Sequence, residues 1–391
     1  MTVYIEKPAI NLREKLAELD KPTGIAGEAM LRAETPQEQF NLIGAGRRNI
    51  IINGAMQVAQ RGTSFTPVSP ADFTLDRWSY ESGNTSAVLD ITQDSDGPVG
   101  FTKCLKVDVQ TADTPIATNG YAYMQYLVEG TDAAPAGFGA SDGKSITVSF
   151  WHKHTATGTY CVSIRNKYSS GTDRSIVGEY YQKASDVWEY STITFPPCPD
   201  GTWTTDSADA GFRLGFALAM GSIYHAAKGV WVSANDLSTA NQINTFASNS
   251  NNFRITGVQL ELGKVATPFE HRSYGEELAL CQRYFERQSY VSGSIVSTGY
   301  ATSASNAIAV LNYTEKRATP SIDLPSASKT DGIAFLTASN SFPTTVGTNT
   351  AGNINKHSCR INGGGYTSVT SQSPSALYVT GEQVIDINAE L

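Results

Sequence analysis

The stretch 144–154, KSITVSFWHKH, places Ile146, Val148 and Phe150 on one face of an extended chain and Thr147, Ser149, Trp151 and Lys153 on the other. A period of two over this length predicts a β-strand rather than a helix. The stretch 253–262, FRITGVQLEL, repeats the pattern with one slip. Phe253 and Ile255 share one parity, Val258, Leu260 and Leu262 share the other, and the switch falls at Gly257. An extra residue at a glycine is what a β-bulge inserts, so this segment reads as the long closing strand of a sandwich. Working outward, 160–164, 190–195 and 213–220 are further strands. The last sets Leu214, Phe216, Leu218 and Met220 against Arg213, Gly215, Ala217 and Ala219. Strands separated by loops rich in Gly, Pro, Asn and Ser predict a mainly β chain built on a sandwich or jelly roll.

Composition agrees. Charged residues make up 17% of 391, below the usual quarter, while Thr, Ser, Asn, Gly and Tyr are abundant, a mixture that favours sheets with turn-rich loops. The length exceeds one ordinary domain. Net charge is −8 and no Lys/Arg-rich run occurs, which argues against a nucleic-acid partner. No apolar run is long enough for a transmembrane helix, and the first twenty residues lack the apolar core of a signal peptide, so neither membrane insertion nor signal-directed secretion is expected. Five cysteines, widely spaced and odd in number, predict free buried thiols and assembly in a reducing cytoplasm.

Both ends depart from the central pattern. Leu12, Leu16 and Leu19 fall on one helical face, and a capping sequence at Thr35–Glu38 opens a second short helix carrying Phe40 and Leu42. Helices this short need a partner, so residues 1–47 are expected to form a helical attachment segment docking on other proteins. Residues 275–288, GEELALCQRYFERQ, return to helical spacing through Leu278, Cys281 or Gln282, and Phe285, and predict a connecting helix. Residues 289–391 read as a C-terminal β domain, with strands at 307–313, 334–338 and 376–388 and a loop at Gly363–Gly365.

At this point the wording resembles a known group. RNIIINGAMQVAQR (48–61), followed by FTLDRW (73–78) and closed by ITGVQLELGKVATPFEHRSYGEELALCQR (255–283), is similar to a domain of bacteriophage tail-fibre proteins. The same order, with the strand at 149–154 between, resembles carbohydrate-binding jelly rolls. Ala318-Thr319-Pro320 resembles the C-terminal regions of phage fibres. The resemblance implies a jelly-roll-like sandwich over 48–274 in a structural virion protein, assembled in the host cytoplasm and held to other virion proteins through its N-terminus. It implies a homo-oligomer, with a trimer favoured, and attachment to host-surface glycan. The alternatives are a purely structural collar, adaptor or decoration fibre, and a polysaccharide depolymerase. The resemblance also allows a structural calcium ion at the acidic turn 90–97, DITQDSDG, whose bland reading is a solvated turn.

Candidate sites are few. His152 and His154 share a strand face, but two ligands underdetermine a metal site. Glu179, Asp186 and Glu261 are acids that nothing in the sequence pairs, and neither a GxSxG elbow nor a phosphate loop occurs, so catalysis is not expected. Aromatic rings on polar strand faces are better candidates. Trp151, and Tyr121 and Tyr123 of YAYMQY with Gln125 on the same parity, are read as glycan or subunit contacts.

Overall fold

A computed structural model describes residues 48–166, 173–336, 346–367 and 371–391, with Met30, Arg32 and Gln39. The attachment residues Leu12, Leu16, Leu19, Phe40 and Leu42 lie outside the described residues. The chain is mainly β. The first unit carries β1 (Ser64–Phe65), β2 (Trp78–Gly83), β3 (Val88–Asp94), β4 (Cys104–Thr111), β5 (Tyr121–Glu129), β6 (Ile146–His154), β7 (Gly158–Asn166), β8 (Ser175–Gln182), β9 (Glu189–Phe195), β10 (Ala210–Met220) and β11 (Asn252–Leu262). They form two antiparallel sheets, β1-β3-β4-β11-β6-β9 and β2-β5-β10-β7-β8. Their inner faces meet in one apolar core in which Phe150 of the first sheet packs edge-on against Phe216 of the second, centroids 5.0 Å apart.

The bulge at Gly257 is present. Thr256 faces Trp151 and Gln259 faces Ser149, so three steps on β11 match two on β6. Gly257 has φ +61°, and a β-carbon there would lie 2.7 Å from the Phe101 ring, which leaves glycine as the residue that fits. A second bulge corrects the reading of β10. Between Ala217 and Ala219 the register against β5 shifts by one, so Met220 leaves the inner face of Leu214, Phe216 and Leu218 and packs with Tyr123, Cys161, Val177, Ala217 and Leu237 on the outer side.

The opening and closing motifs meet in space. Ile50 N–H donates to Leu260 O at 2.9 Å and Val258 N–H to Gly54 O at 2.9 Å. The buried Asn49 side chain accepts from the N–H groups of Ile51 and Leu260 and donates to Val258 O. Asn53, at φ 59°, accepts from Val58 N–H and donates to the carbonyls of Val58 and Asp76. Residues 48–58 thus plug the sandwich by hydrogen bonding rather than as a ladder strand.

Helix α1 (Tyr274–Gln282) begins with a capping box between Ser273 and Glu276 and buries Cys281 in the sandwich core. It is shorter than its spacing predicts. Phe285 opens a strand, β12 (Phe285–Tyr290), because pairing with β20 (Gln383–Asn388) near the far end of the chain outcompetes helix propagation. The remaining strands are β13 (Ile295–Ala301), β14 (Ala307–Asn312), β15 (Ser321–Asp323), β16 (Gly332–Leu336), β17 (Thr348–Gly352), β18 (Ser358–Gly364) and β19 (Pro374–Thr380). Sheets β12-β20-β15 and β16-β19-β13-β14-β18-β17 enclose a second core. The segment 376–388 is two strands in different sheets, broken at Gly381 with φ 77°. Gly363 and Gly364 belong to β18 rather than to a loop. At Gly363 a side chain would strike the rings of Phe335 and Tyr366.

The two units are joined by buried ionic contacts. The Arg77 guanidinium lies 3.5 Å from the Tyr284 ring centroid, donates to Leu127 O, and pairs with Glu390, which Arg61 also approaches at 3.3 Å. Arg317 donates to the carbonyls of Ala389, Glu390 and Ala208.

Candidate functional site: the outer face of the five-stranded sheet

Strand alternation sends Tyr126, Met124 and Ala122 of β5 into the core, so Tyr121, Tyr123, Gln125 and Leu127 face outward. Register then assembles one surface from four strands. Ser79, Gln125, Gly215 and Ser163 lie in one cross-strand row. Leu127, Arg213 and Arg165 form the row on one side, and Glu81, Tyr123 and Ala217 the row on the other. The segment 221–243 crosses the same face as a wall, held by bridges from Val177 to Lys228, Ser175 to Val232 and Thr159 to Gln242. Tyr224, Ala226 and Leu237 of that wall pack with Tyr121 and Tyr123.

The centre of this surface is polar and incompletely paired. Arg165, 3% exposed, lies with its guanidinium 4.8 Å from the Tyr123 ring centroid and donates from Nη1 to Asn235 Oδ1 at 2.7 Å. Gln125 donates weakly to Ser79 Oγ and Glu81 Oε1, both at 3.3 Å. Five polar atoms here are buried with no protein partner among the described residues: Arg165 Nε and Nη2, Arg213 Nε, Gln125 Oε1 and Ser163 Oγ. Buried polar atoms are nearly always paired, with protein or with ordered water, so these five are open to a partner from outside the chain. Gly215 puts no side chain between them. A β-carbon there would sit 3.0 Å from Ser163 Oγ, 3.6 Å from the Tyr123 ring and 4.0 Å from Arg165 Nη2.

Electrostatics follow the burial. Desolvation raises the Glu81 carboxyl above its ordinary range, against the pull of Arg213 and Arg165. Arg213 is lowered by its own burial and by the like charge of Arg165. Burial raises the Tyr121 and Tyr224 phenols as well. Tyr121 meets Tyr123 at 6.1 Å and Tyr224 at 5.4 Å between centroids, so the three rings form one aromatic border.

Of the residues singled out by sequence, Tyr121 and Tyr123 come together here, whereas Trp151 does not. It stands on β6 in the other sheet, half-buried with its ring 5.3 Å from Tyr190. The face it shares is less open than its residue types imply, since Thr147 and Ser149 are buried and Thr147 Oγ1 donates to Gly263 O. Sequence reading missed Arg165, Arg213, Glu81, Ser163 and Tyr224 as site residues. Arg213 and Gly215 stood on the polar parity of 213–220, but only register shows what they face.

His152 and His154 are buried and engaged. His152 reaches Gln182 Oε1 at 2.8 Å and Ser191 Oγ at 2.9 Å, and His154 reaches Tyr180 OH at 3.1 Å and accepts from Arg254 N–H. In the acidic turn, Asp96 takes Lys153 Nζ at 2.9 Å and Trp188 Nε1 at 3.2 Å, and Arg254 lies 3.7 Å from Asp94. Carboxylates already facing two cations do not fit a calcium ion. Glu179 is held by Thr239, Asn241 and Lys228 on β8, while Glu261 sits buried on β11 of the other sheet. The two acids therefore do not flank a common cleft.

No protein-family model and no curated protein sequence matches the chain. Solved structures similar to it include the enzymatically active domain of bacteriophage CBA120 tailspike protein 4, with 13% identity, a TM-score of 0.30, and 55% of this chain aligned to 21% of that one. Another is the family 11 carbohydrate-binding module from Clostridium thermocellum in complex with a mixed-linked tetrasaccharide, with 16% identity, a TM-score of 0.27, and coverage of 54% and 99%. A third is the CBM22-2 xylan-binding domain from Paenibacillus barcinonensis, with 12% identity, a TM-score of 0.28, and coverage of 50% and 97%.

Proposed function

We propose that this protein is a non-catalytic glycan-recognition component of a bacteriophage appendage, and that it binds host-surface glycan on the outer face of the five-stranded sheet. One observation carries the binding reading: Tyr123, with Tyr121 next to it, borders a patch around Gly215 that holds five buried polar atoms without protein partners among the described residues. A sugar presents flat C–H faces for aromatic rings and hydroxyls that both donate and accept, which is what such a patch lacks. The virion reading is supported by the motifs at 48–61, 73–78 and 255–283, and a homotrimer belongs to the same reading.

The test is an array of bacterial surface polysaccharides probed with the full chain and with Tyr121→Ala. Retention of a defined polysaccharide by the parent, weakened about two- to tenfold in the variant, is the expected result, since an aromatic contact contributes about 0.5–1.5 kcal/mol. Equal retention by both would move the site elsewhere, and a parent that retains nothing would remove the reading.

A further inference from the structure

The same face carries an excess of positive charge that a neutral sugar would not use. Arg213 and Arg165 are cross-strand partners on β10 and β7, so two guanidinium groups stand side by side. Like charges directly opposite one another on a sheet are destabilising. Glu81 is the carboxylate that acts on both, yet among the described residues neither arginine makes an ion pair with it or with any other acid. Of the other acids on this face, Glu179 is taken by Lys228 at 3.4 Å and by Thr239 and Asn241, and Asp236 of the wall makes no ion pair with either arginine among the described residues. Arg165 is fully committed in position but not in hydrogen bonding: Tyr123 and Asn235 fix its plane, while Nε and Nη2 have no acceptor among the described residues. A guanidinium held in this way is preorganised for a planar or tetrahedral oxyanion, because two of its N–H groups can engage one anionic group at once.

We infer that the ligand of this face is an acidic glycan, whose anionic group lies against Arg213 and Arg165 beside Gly215 while the sugar ring lies against Tyr121 and Tyr123. This rests on the glycan reading and narrows it. The Ser163 hydroxyl, 3.0 Å from where a Gly215 β-carbon would be, offers a further donor to the same group. Two sources share this chemistry, carboxylated sugars such as uronic acids and phosphate-bearing sugars or polyols.

The experiment compares the full chain on acidic bacterial polysaccharides, their carboxyl-reduced or dephosphorylated counterparts, and neutral polysaccharides, followed by calorimetric titration of the best binder. Arg213→Gln is the variant, because Arg213 is only half-buried and its loss relieves a like-charge contact. Expected is binding confined to acidic members, about tenfold or more weaker after the anionic group is removed, and weakened further between about 0.05 and 0.3 M salt. Arg213→Gln should reproduce the loss on the acidic ligand without lowering the tryptophan-monitored unfolding midpoint. Loss on carboxyl reduction identifies a uronic acid, and loss on dephosphorylation identifies the phosphate source. Equal binding to a polysaccharide and its neutralised counterpart would overturn the charge inference and leave the glycan reading standing. Failure to bind any polysaccharide would overturn both.

Discussion

Replacing Asn53 by alanine removes three buried hydrogen bonds at once: from Val58 N–H to Oδ1 at 2.9 Å, and from Nδ2 to Val58 O at 2.8 Å and Asp76 O at 3.0 Å. Each contributes about 1 kcal/mol net, and the stranded Val58 N–H adds about 1 kcal/mol more. Asn53 also sits at φ 59°, which asparagine tolerates and alanine does not, for a further cost of about 1 kcal/mol. Asn53→Ala should therefore cost about 5 kcal/mol, and Asn53→Gly, which keeps the backbone relaxed, about 4 kcal/mol. The tryptophans provide a domain-specific probe, because all five lie between residues 78 and 231. With a urea slope of about 2 kcal/mol per molar, the alanine variant should shift the fluorescence midpoint down by about 2.5 M and the glycine variant by about 2 M. The order of the two matters as much as the size. In an ordinary strand or helix alanine is the more stable of the pair. A shift below about 0.5 M for Asn53→Ala, or an alanine variant at least as stable as the glycine variant, would refute the view that residues 48–58 close the sandwich through this side chain.

Glu390→Gln should destabilise the junction by about 3 kcal/mol or more, since it leaves Arg77 and Arg61 buried without their counter-charge. Limited proteolysis between the two units should accelerate, and an unchanged digestion rate would contradict the assignment. Burial holds His152 and His154 below 6.5, so the stability they contribute is complete above about pH 6.5 and is lost as pH falls toward their folded values. His154→Phe, which keeps the stack on Phe253, should flatten the fall in stability between about pH 6.5 and 5 by up to about 1.4 kcal/mol per pH unit, and parallel profiles would count against a buried neutral imidazole. All five cysteines are free and buried, with burial raising Cys161 and Cys359 to about 11, so a thiol reagent should label them only on unfolding. Rapid native labelling at any of them would mean that its surroundings open.

The sequence made the sandwich legible because both decisive strands carry their alternation openly, and Gly257 marked its own bulge. Other elements depended on distant partners. The spacing around Phe285 is helical, yet β20 turns it into a strand, and the triple glycine at 363–365 reads as a loop until Phe335 and Tyr366 are seen to need the room. Met220 followed a period of two that a bulge at Ala217–Ala219 interrupts. The site was half visible. Tyr121 and Tyr123 stood out as aromatics on a polar parity, but Arg165, Arg213 and Glu81 lie on three other strands, and register places them beside those rings. Trp151 satisfied the same residue-type rule and faces away on the other sheet, because parity names a face without naming which side of the sandwich it becomes.

The most direct test of the central claim is the affinity of Gly215→Val for whichever polysaccharide the parent retains, measured by titration beside the parent. Valine suits a central strand, but its β-carbon would meet Ser163 Oγ at 3.0 Å, so that hydroxyl must turn aside, and the fluorescence midpoint checks that the variant is folded while its side chain covers the patch between Tyr123, Ser163 and Arg165. The account predicts a loss of about tenfold or more. Equal affinity in a folded Gly215→Val protein would contradict it and place the glycan elsewhere on the molecule.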